Sequence, residues 1–139
     1  MLMTALDLSQ LVVDEKKILG EGFYGVVFGG TYKNENVAVK RLRPNIPDNV
    51  LAKFLAEVSI LAGLKHDNIV RYLGSVFEEQ NLCIVTEFVG GGTLWEKIHD
   101  KSSQFTLAFI HKISLEIATA MRYLHHECQP AVVHRDLKS

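Results

Sequence analysis

Cysteine is scarce in this sequence, with two in 139 residues, Cys83 and Cys128. Two cysteines build no disulfide framework, and neither sits in a metal-ligand spacing. His125, His126, Cys128 and His134 match no known zinc pattern. Cys83 lies in the apolar run LCIVTEF and reads as a small buried hydrophobe. A surplus of one charge is also missing. Lys and Arg total 15 against 16 Asp and Glu, a formal net charge of -1, which gives no reason to expect nucleic acid or an anionic membrane as partner. No apolar run approaches a membrane span. The opening MLMTALDLSQ lacks the basic and apolar regions of a secretory signal. A reducing, cytoplasmic setting is expected. Internal repeats and low-complexity stretches are absent as well.

What the chain does have is apolar material, at 47% of residues, in a length suited to one ordinary domain. From Lys17 to Leu42 it is rich in strand formers: KKIL, GVVFGGTY and NVAVKRL, with KNEN as the turn between the last two. RPNIPDNV is a proline-containing loop, and Pro47 with Asp48 marks the start of a helix expected over Asn49–Leu64. HDN breaks the pattern. IVRYLGSVF and LCIVTEF read as two further strands joined by the turn EEQN. The triplet Gly90–Gly92 interrupts the pattern as a hinge, and two helical segments follow, TLWEKIHD and TLAFIHKISLEIATAMRYLHHE.

Short polar turns between strands predict an antiparallel sheet. The fold class expected is α+β: five antiparallel strands with one helix, then a helical lobe that has only begun. The boundaries expected are a lead-in over 1–13, the first lobe over 14–89 and the second over 90–139. In the long helix, Leu107, Ile110, Ile113, Ile117, Met121 and Leu124 form one stripe, while Phe109, Leu115, Ala118 and Ala120 spread apolar surface to other faces. A helix this apolar normally lies inside a larger domain. A polypeptide limited to these residues is therefore expected to associate or aggregate. Trp95 reads as a helix-packing residue, and Asp14–Lys17 as a solvated charged entry to the first strand.

Three clusters carry chemistry. GEGFYGVV places Gly20, Gly22 and Gly25 in the pattern G-x-G-x-x-G, which lets backbone N–H groups approach phosphate oxygens without obstruction by Cβ. Dinucleotide folds use this spacing to open a helix; here it opens the strand VVFGGTY. VAVK places Lys40 at the end of an apolar strand. Val50, Phe54, Leu61 and Leu64 form a helical stripe on which Glu57 also falls. A carboxylate on a buried face needs a cation, and Lys40 is the candidate; the other reading leaves Glu57 at the margin of the stripe, in solvent. HRDLK sets Asp136 among cations, suited to orienting a hydroxyl or taking its proton.

In this order the clusters resemble a eukaryotic-type protein kinase. The glycine loop, VAVK, the helix FLAEVSIL, the segment HDNIVRYLG, the hinge VTEFVGGGTL and HRDLK all fall in family sequence from about Asp14 onward. The nearest match is the tyrosine-kinase-like group of serine/threonine kinases, of the Raf and mixed-lineage kind. The resemblance implies ATP with Mg²⁺ as cofactors and protein Ser/Thr hydroxyls as substrates. It implies that Gly20, Gly22 and Gly25 cover the phosphates, and that Lys40 holds the α- and β-phosphates while paired with Glu57. Leu19, Val27 and Ala38 would pack on the adenine, with Thr86 as gatekeeper and backbone groups of Glu87 and Val89 on the adenine edge. Asp136 would be the catalytic base and Lys138 would steady the transferred phosphate, a lysine that favours Ser/Thr over Tyr substrates. His134 would pack beneath the catalytic loop, and Arg135 would gather an activation-loop phosphate.

The family pattern H-R-D-L-x-x-x-N puts a metal-binding Asn two positions beyond Ser139, and the Asp-Phe-Gly and Ala-Pro-Glu motifs lie further on. The protein ligands for Mg²⁺ are thus absent from these 139 residues. Three readings stand: the first part of an active Ser/Thr kinase; a catalytically inert module that binds nucleotide or pairs with an intact kinase as dimer partner; or a sequence whose natural chain continues past Ser139.

Overall fold

The computed structural model describes residues 6–78, 81–100, 102 and 105–138. They form two compact units, each described by itself: the described residues up to Leu64 together with Val70–Phe88, and Lys65–Ile69 together with the described residues from Val89 onward.

The first unit is built on five strands: β1 (Leu11–Glu21), β2 (Gly25–Tyr32), β3 (Glu35–Leu42), β4 (Tyr72–Glu78) and β5 (Asn81–Glu87). They pair antiparallel in the order β1-β2-β3-β5-β4. The five-stranded antiparallel sheet expected from the sequence is therefore present. The β2–β3 hairpin turns on Lys33 and Asn34, both at positive φ (50° and 65°), between the paired Tyr32 and Glu35. That conformation matches the right-handed twist of the flanking strands.

β1 starts at Leu11, five residues before the expected KKIL. The apolar residues Leu11 and Val13 pair with Tyr32 and Gly30, and a register shift between Asp14 and Ile18 absorbs the charged run. Asp14–Lys17 are exposed as expected, but they lie within the strand rather than before it. The expected turn EEQN includes Glu79 and Gln80, which lie outside the described residues.

Strand alternation gives the sheet two different faces. Val37, Val39, Val76, Cys83 and Val85 fill one, with Leu6, Leu11, Val13, Tyr32 and Leu73 packed around them. Cys83 is buried there, and burial pushes its thiol pKa up. Against the other face lies helix α1 (Asp48–Leu61), through Phe54 and Val58 on Leu42 and Ile84. This helix ends three residues short of expectation, since Gly63 and Leu64 fold into tighter turns onto Ile60 and Leu61. The stripe read from the sequence omitted Val58, which has no exposed surface. Phe54 is 2% exposed and meets Phe77 edge-on at 6.3 Å between ring centres. Truncating it to Ala is expected to lower stability by about 3–5 kcal/mol, read as the shift in urea midpoint; a change under about 1 kcal/mol would contradict this packing.

The second unit holds helix α2 (Leu94–His99), helix α3 (Leu107–Arg122) and a wider π turn over Tyr123–Glu127. Thr93 caps α2 in a reciprocal box with Glu96. The Thr93 N–H holds the Glu96 carboxyl below its ordinary pKa. Thr106 caps α3 by accepting from the Phe109 N–H. Tyr123 ties the unit together: its hydroxyl accepts from the Lys65 N–H at 3.0 Å and its ring lies 5.0 Å from His66. Along α3 the buried residue is Ala120, with Leu124 buried in the turn beyond. Leu107, Ile110, Leu115 and Ile117 stay exposed. Trp95 does not pack between helices; it is exposed and stacks on His99, one turn along its own helix, at 4.1 Å.

Candidate functional site

β1 and β2 are joined by the segment around Gly22–Tyr24, closed by a hydrogen bond from the Gly22 N–H to the Gly25 carbonyl at 2.9 Å. The three glycines stand there for different reasons. A Cβ on Gly25 would lie 2.6 Å from the Arg41 carbonyl oxygen, so strand β3 admits no side chain at that point. A Cβ on Gly20 would meet nothing within 4 Å, and one on Gly22 would meet only the Gly25 carbonyl at 3.8 Å. Around Gly20 the backbone faces open space, as approach to a phosphate requires. Phe23 at the tip is 87% exposed, braced edge-on by Tyr24. Arg43 anchors the loop at its base, through its N–H to the Tyr24 carbonyl and its guanidinium to Glu21.

Because Val37 and Val39 point into the core, Ala38 and Lys40 face the opposite side. The register places Val27 opposite Lys40, and Gly29, Ala38 and Thr86 in one row across three strands. Val27, Ala38 and Thr86 are half-buried, on the face that α1 covers at Leu42 and Ile84. Leu19 is exposed, at the register shift between Ile18 and Gly20. The Lys40 ammonium sits 2.7 Å from Glu57 Oε1 and 2.8 Å from Oε2. Their side chains are 41% and 42% exposed. Both sequence readings of Glu57 hold in part: it pairs with Lys40 and it also reaches solvent.

The segment β5 enters toward Val89 is hydrogen-bonded at residue 87. The Glu87 N–H donates to the Arg71 carbonyl at 3.0 Å, and the Thr86 hydroxyl donates to the Glu87 carbonyl at 3.2 Å. Val89 begins the second unit and is exposed. Two contributors here went unread in the sequence. Arg71 looked like one more residue of a strand, and its partner Glu87 is distant in sequence. Lys17 looked like a solvated charge, yet its side chain crosses Gly29, where a Cβ would lie 2.5 Å from it, and its ammonium sits 4.6 Å above the Phe88 ring.

In the second unit, His134 to Lys138 form an extended loop. Arg135 takes a positive φ of 63°, a conformation that costs a residue with a side chain about 1–2 kcal/mol and that gathers at functional sites. Lys138 reaches Asp136 Oδ2 at 3.1 Å, with side chains 75% and 74% exposed. His134 is exposed rather than packed in a core. Its Nδ1 accepts from the Asp136 N–H at 3.3 Å, so the ring is used in shaping the loop. Among the described residues, no group of three or more His, Cys, Asp or Glu could hold a metal ion.

The first unit thus carries an open glycine segment ending β1 and, two strands away on β3, a lysine held by both carboxylate oxygens of Glu57 on α1. The second unit, taken by itself, carries a loop with the carboxylate of Asp136 and the ammonium of Lys138. A family model described as protein tyrosine and serine/threonine kinase matches residues 13–139. The serine/threonine-protein kinase STY17 of Arabidopsis thaliana is 36% identical over 135 residues, covering 96% of this chain and 23% of its own length. STY46 of the same plant is 38% identical over 122 residues, with 87% and 21% covered. A Dictyostelium discoideum protein named "Probable serine/threonine-protein kinase drkA" is 35% identical over 135 residues, with 96% and 21% covered. The chain belongs to the protein tyrosine and serine/threonine kinase family, and it spans less than a quarter of the length of these relatives. The family expected from the motifs is the family found.

Proposed function

We propose that these residues form the ATP-holding part of a serine/threonine protein kinase that moves the γ-phosphate of ATP to protein hydroxyls. The observation that supports it most is the Lys40–Glu57 pair, at hydrogen-bond distance to both carboxylate oxygens. A half-exposed ion pair adds at most about 1 kcal/mol to stability, so stability alone is a poor account of it. Holding the lysine ready for phosphate oxygens is a better one.

In this reading Gly20, Gly22 and Gly25 cover the phosphates, and Lys40 takes the α- and β-phosphates. Leu19, Val27 and Ala38 pack on the base, Thr86 stands as gatekeeper, and backbone groups of Glu87 and Val89 meet the adenine edge. A substrate hydroxyl attacks the γ-phosphorus, the bond to the β-bridging oxygen breaks, and ADP leaves with that oxygen. Asp136 takes the hydroxyl proton, and Lys138 offsets charge on the phosphate in flight. Mg²⁺, when bound, would supply neutralisation of the triphosphate charge; among the described residues no group of three or more His, Cys, Asp or Glu would hold it.

The relatives' names and Lys138 support Ser/Thr as acceptors. A cytoplasmic location fits the free cysteines Cys83 and Cys128, and no helix among the described residues is long and apolar enough to cross a membrane. A polypeptide limited to these 139 residues has the phosphate-holding groups without the family's metal-binding motifs. Nucleotide binding without transfer, or pairing with an intact kinase, is its expected behaviour. The test is paired. A fluorescent ATP analogue should bind either polypeptide and be displaced by ATP, while labelled γ-phosphate should reach Ser and Thr only when the complete kinase domain is present. Lys40-dependent turnover by the 139 residues alone would refute the inert reading, and failure of both to bind nucleotide would refute the whole proposal.

A further inference from the structure

Glu87 is held by its side chain as well as its backbone. Its Oε1 accepts from the Arg71 N–H at 2.8 Å while its own N–H donates to the Arg71 carbonyl at 3.0 Å. One residue thus grips both main-chain groups of another, closing a ring at the last position of β5. The carbonyl that follows is held in turn by the Thr86 hydroxyl. The Arg71 guanidinium stands farther off, 4.0 Å from Glu87 Oε2 and 3.9 Å from Glu35 Oε2 in the β2–β3 turn. Those side chains are 39–74% exposed, and screened pairs at such distances contribute little. The hydrogen bonds, not the charges, fix residue 87.

We propose that the Glu87 carboxylate is a positioning residue for base selection, an inference that rests on the nucleotide reading above. Adenine carries an amino donor at the position where guanine carries a carbonyl acceptor. A residue-87 carbonyl turned to the base would accept from the first and repel the second. Turning the peptide between Glu87 and Phe88 over would present an N–H instead and reverse the preference. The ring with Arg71 fixes residue 87, the pivot of that turn, and the Thr86 hydroxyl holds the carbonyl that would swing. In the nucleotide reading neither the Glu87 carboxylate nor Arg71 is placed on the base, so the effect of the clasp falls on the ratio of ATP to GTP affinity more than on the fold.

The experiment is displacement of a fluorescent nucleotide from the full chain by ATP and by GTP, with melting temperature recorded alongside. Glu87→Ala should shrink the ATP-over-GTP ratio by about 3- to 10-fold, the scale of one hydrogen bond. Glu87→Gln keeps an amide oxygen for the Arg71 N–H and should retain the wild-type ratio. Thr86→Val, which removes the hydroxyl with little change of shape, should shift the ratio in the same direction and serves if Glu87→Ala does not fold. A folded Glu87→Ala or Thr86→Val variant with an unchanged ratio overturns the inference. A wild-type chain that prefers ATP in that same experiment leaves the nucleotide reading intact; one that binds neither nucleotide overturns that reading and this inference with it.

Discussion

Exchanging Asp136 for Asn, in a polypeptide that carries the complete kinase domain, is expected to lower kcat by about 10²–10⁴-fold while leaving the KM for ATP and the melting temperature near wild type. The expectation separates three things a carboxylate can do at this place. As a structural anion it would matter to stability, but its side chain is 74% exposed and the Lys138 side chain it pairs with is 75% exposed. Such a pair contributes about 0–1 kcal/mol, too little to move the melting point by more than a few degrees. As a hydrogen-bond acceptor it could orient a substrate hydroxyl, and the Asn amide oxygen keeps that ability. As a proton acceptor it has no substitute in Asn. A large loss in kcat with the fold intact would therefore isolate the third role. A loss that appears equally in ATP affinity, or one accompanied by unfolding, would assign Asp136 elsewhere. The loop around it supports the functional role: Arg135 holds a positive φ that ordinary loop geometry does not require.

The parts of this molecule that were legible in the sequence are those whose signals are local. The β2–β3 hairpin could be read because VVFGGTY and NVAVKRL carry strand formers and KNEN carries turn formers. Lys33 and Asn34 then take the two positive φ values such a turn needs. Lys40 and Glu57 could be paired because each stood out against a pattern, a cation ending an apolar strand and an anion on an apolar helical stripe. β1 was misjudged because its apolar residues, Leu11 and Val13, are cut off from Ile18 by four charged residues, and a bulge repairs the register. No local pattern announces a bulge. The clasp between Arg71 and Glu87 was invisible for a different reason: it is made largely by main-chain groups, which every residue has. His134, expected to pack beneath the catalytic loop, is exposed, and its ring accepts a hydrogen bond from the loop it precedes.

Lys40→Met should reduce turnover by about 10²–10³-fold, the scale of losing one preorganised charge beside the phosphates, and should barely alter stability. The second half of that statement follows from exposure. Were the Lys40–Glu57 pair buried, removing the lysine would strand a carboxylate in a dry interior at a cost of about 3–5 kcal/mol. With side chains 41% and 42% exposed, water takes over the solvation of Glu57, and the cost falls to about 1 kcal/mol or less. Glu57→Gln should act through the lysine. The Gln oxygen still accepts from the ammonium, but a neutral acceptor holds it less firmly than a charged one, and a loss of about tenfold is expected from that difference. The two effects should not add. Once Lys40 is Met there is nothing left for Glu57 to position, so the double variant should turn over no more slowly than Lys40→Met alone. Single-turnover rates with melting curves for the three variants decide the matter. Additive losses would mean that Glu57 touches the reaction independently of Lys40. A fall in melting temperature of more than about 10 °C in Lys40→Met, equivalent to more than 1 kcal/mol, would mean that the pair holds helix α1 onto the sheet. Non-additive losses on a stable fold would leave one account standing, in which helix α1 is placed by Phe54 and Val58 and Glu57 uses that placement to aim the lysine.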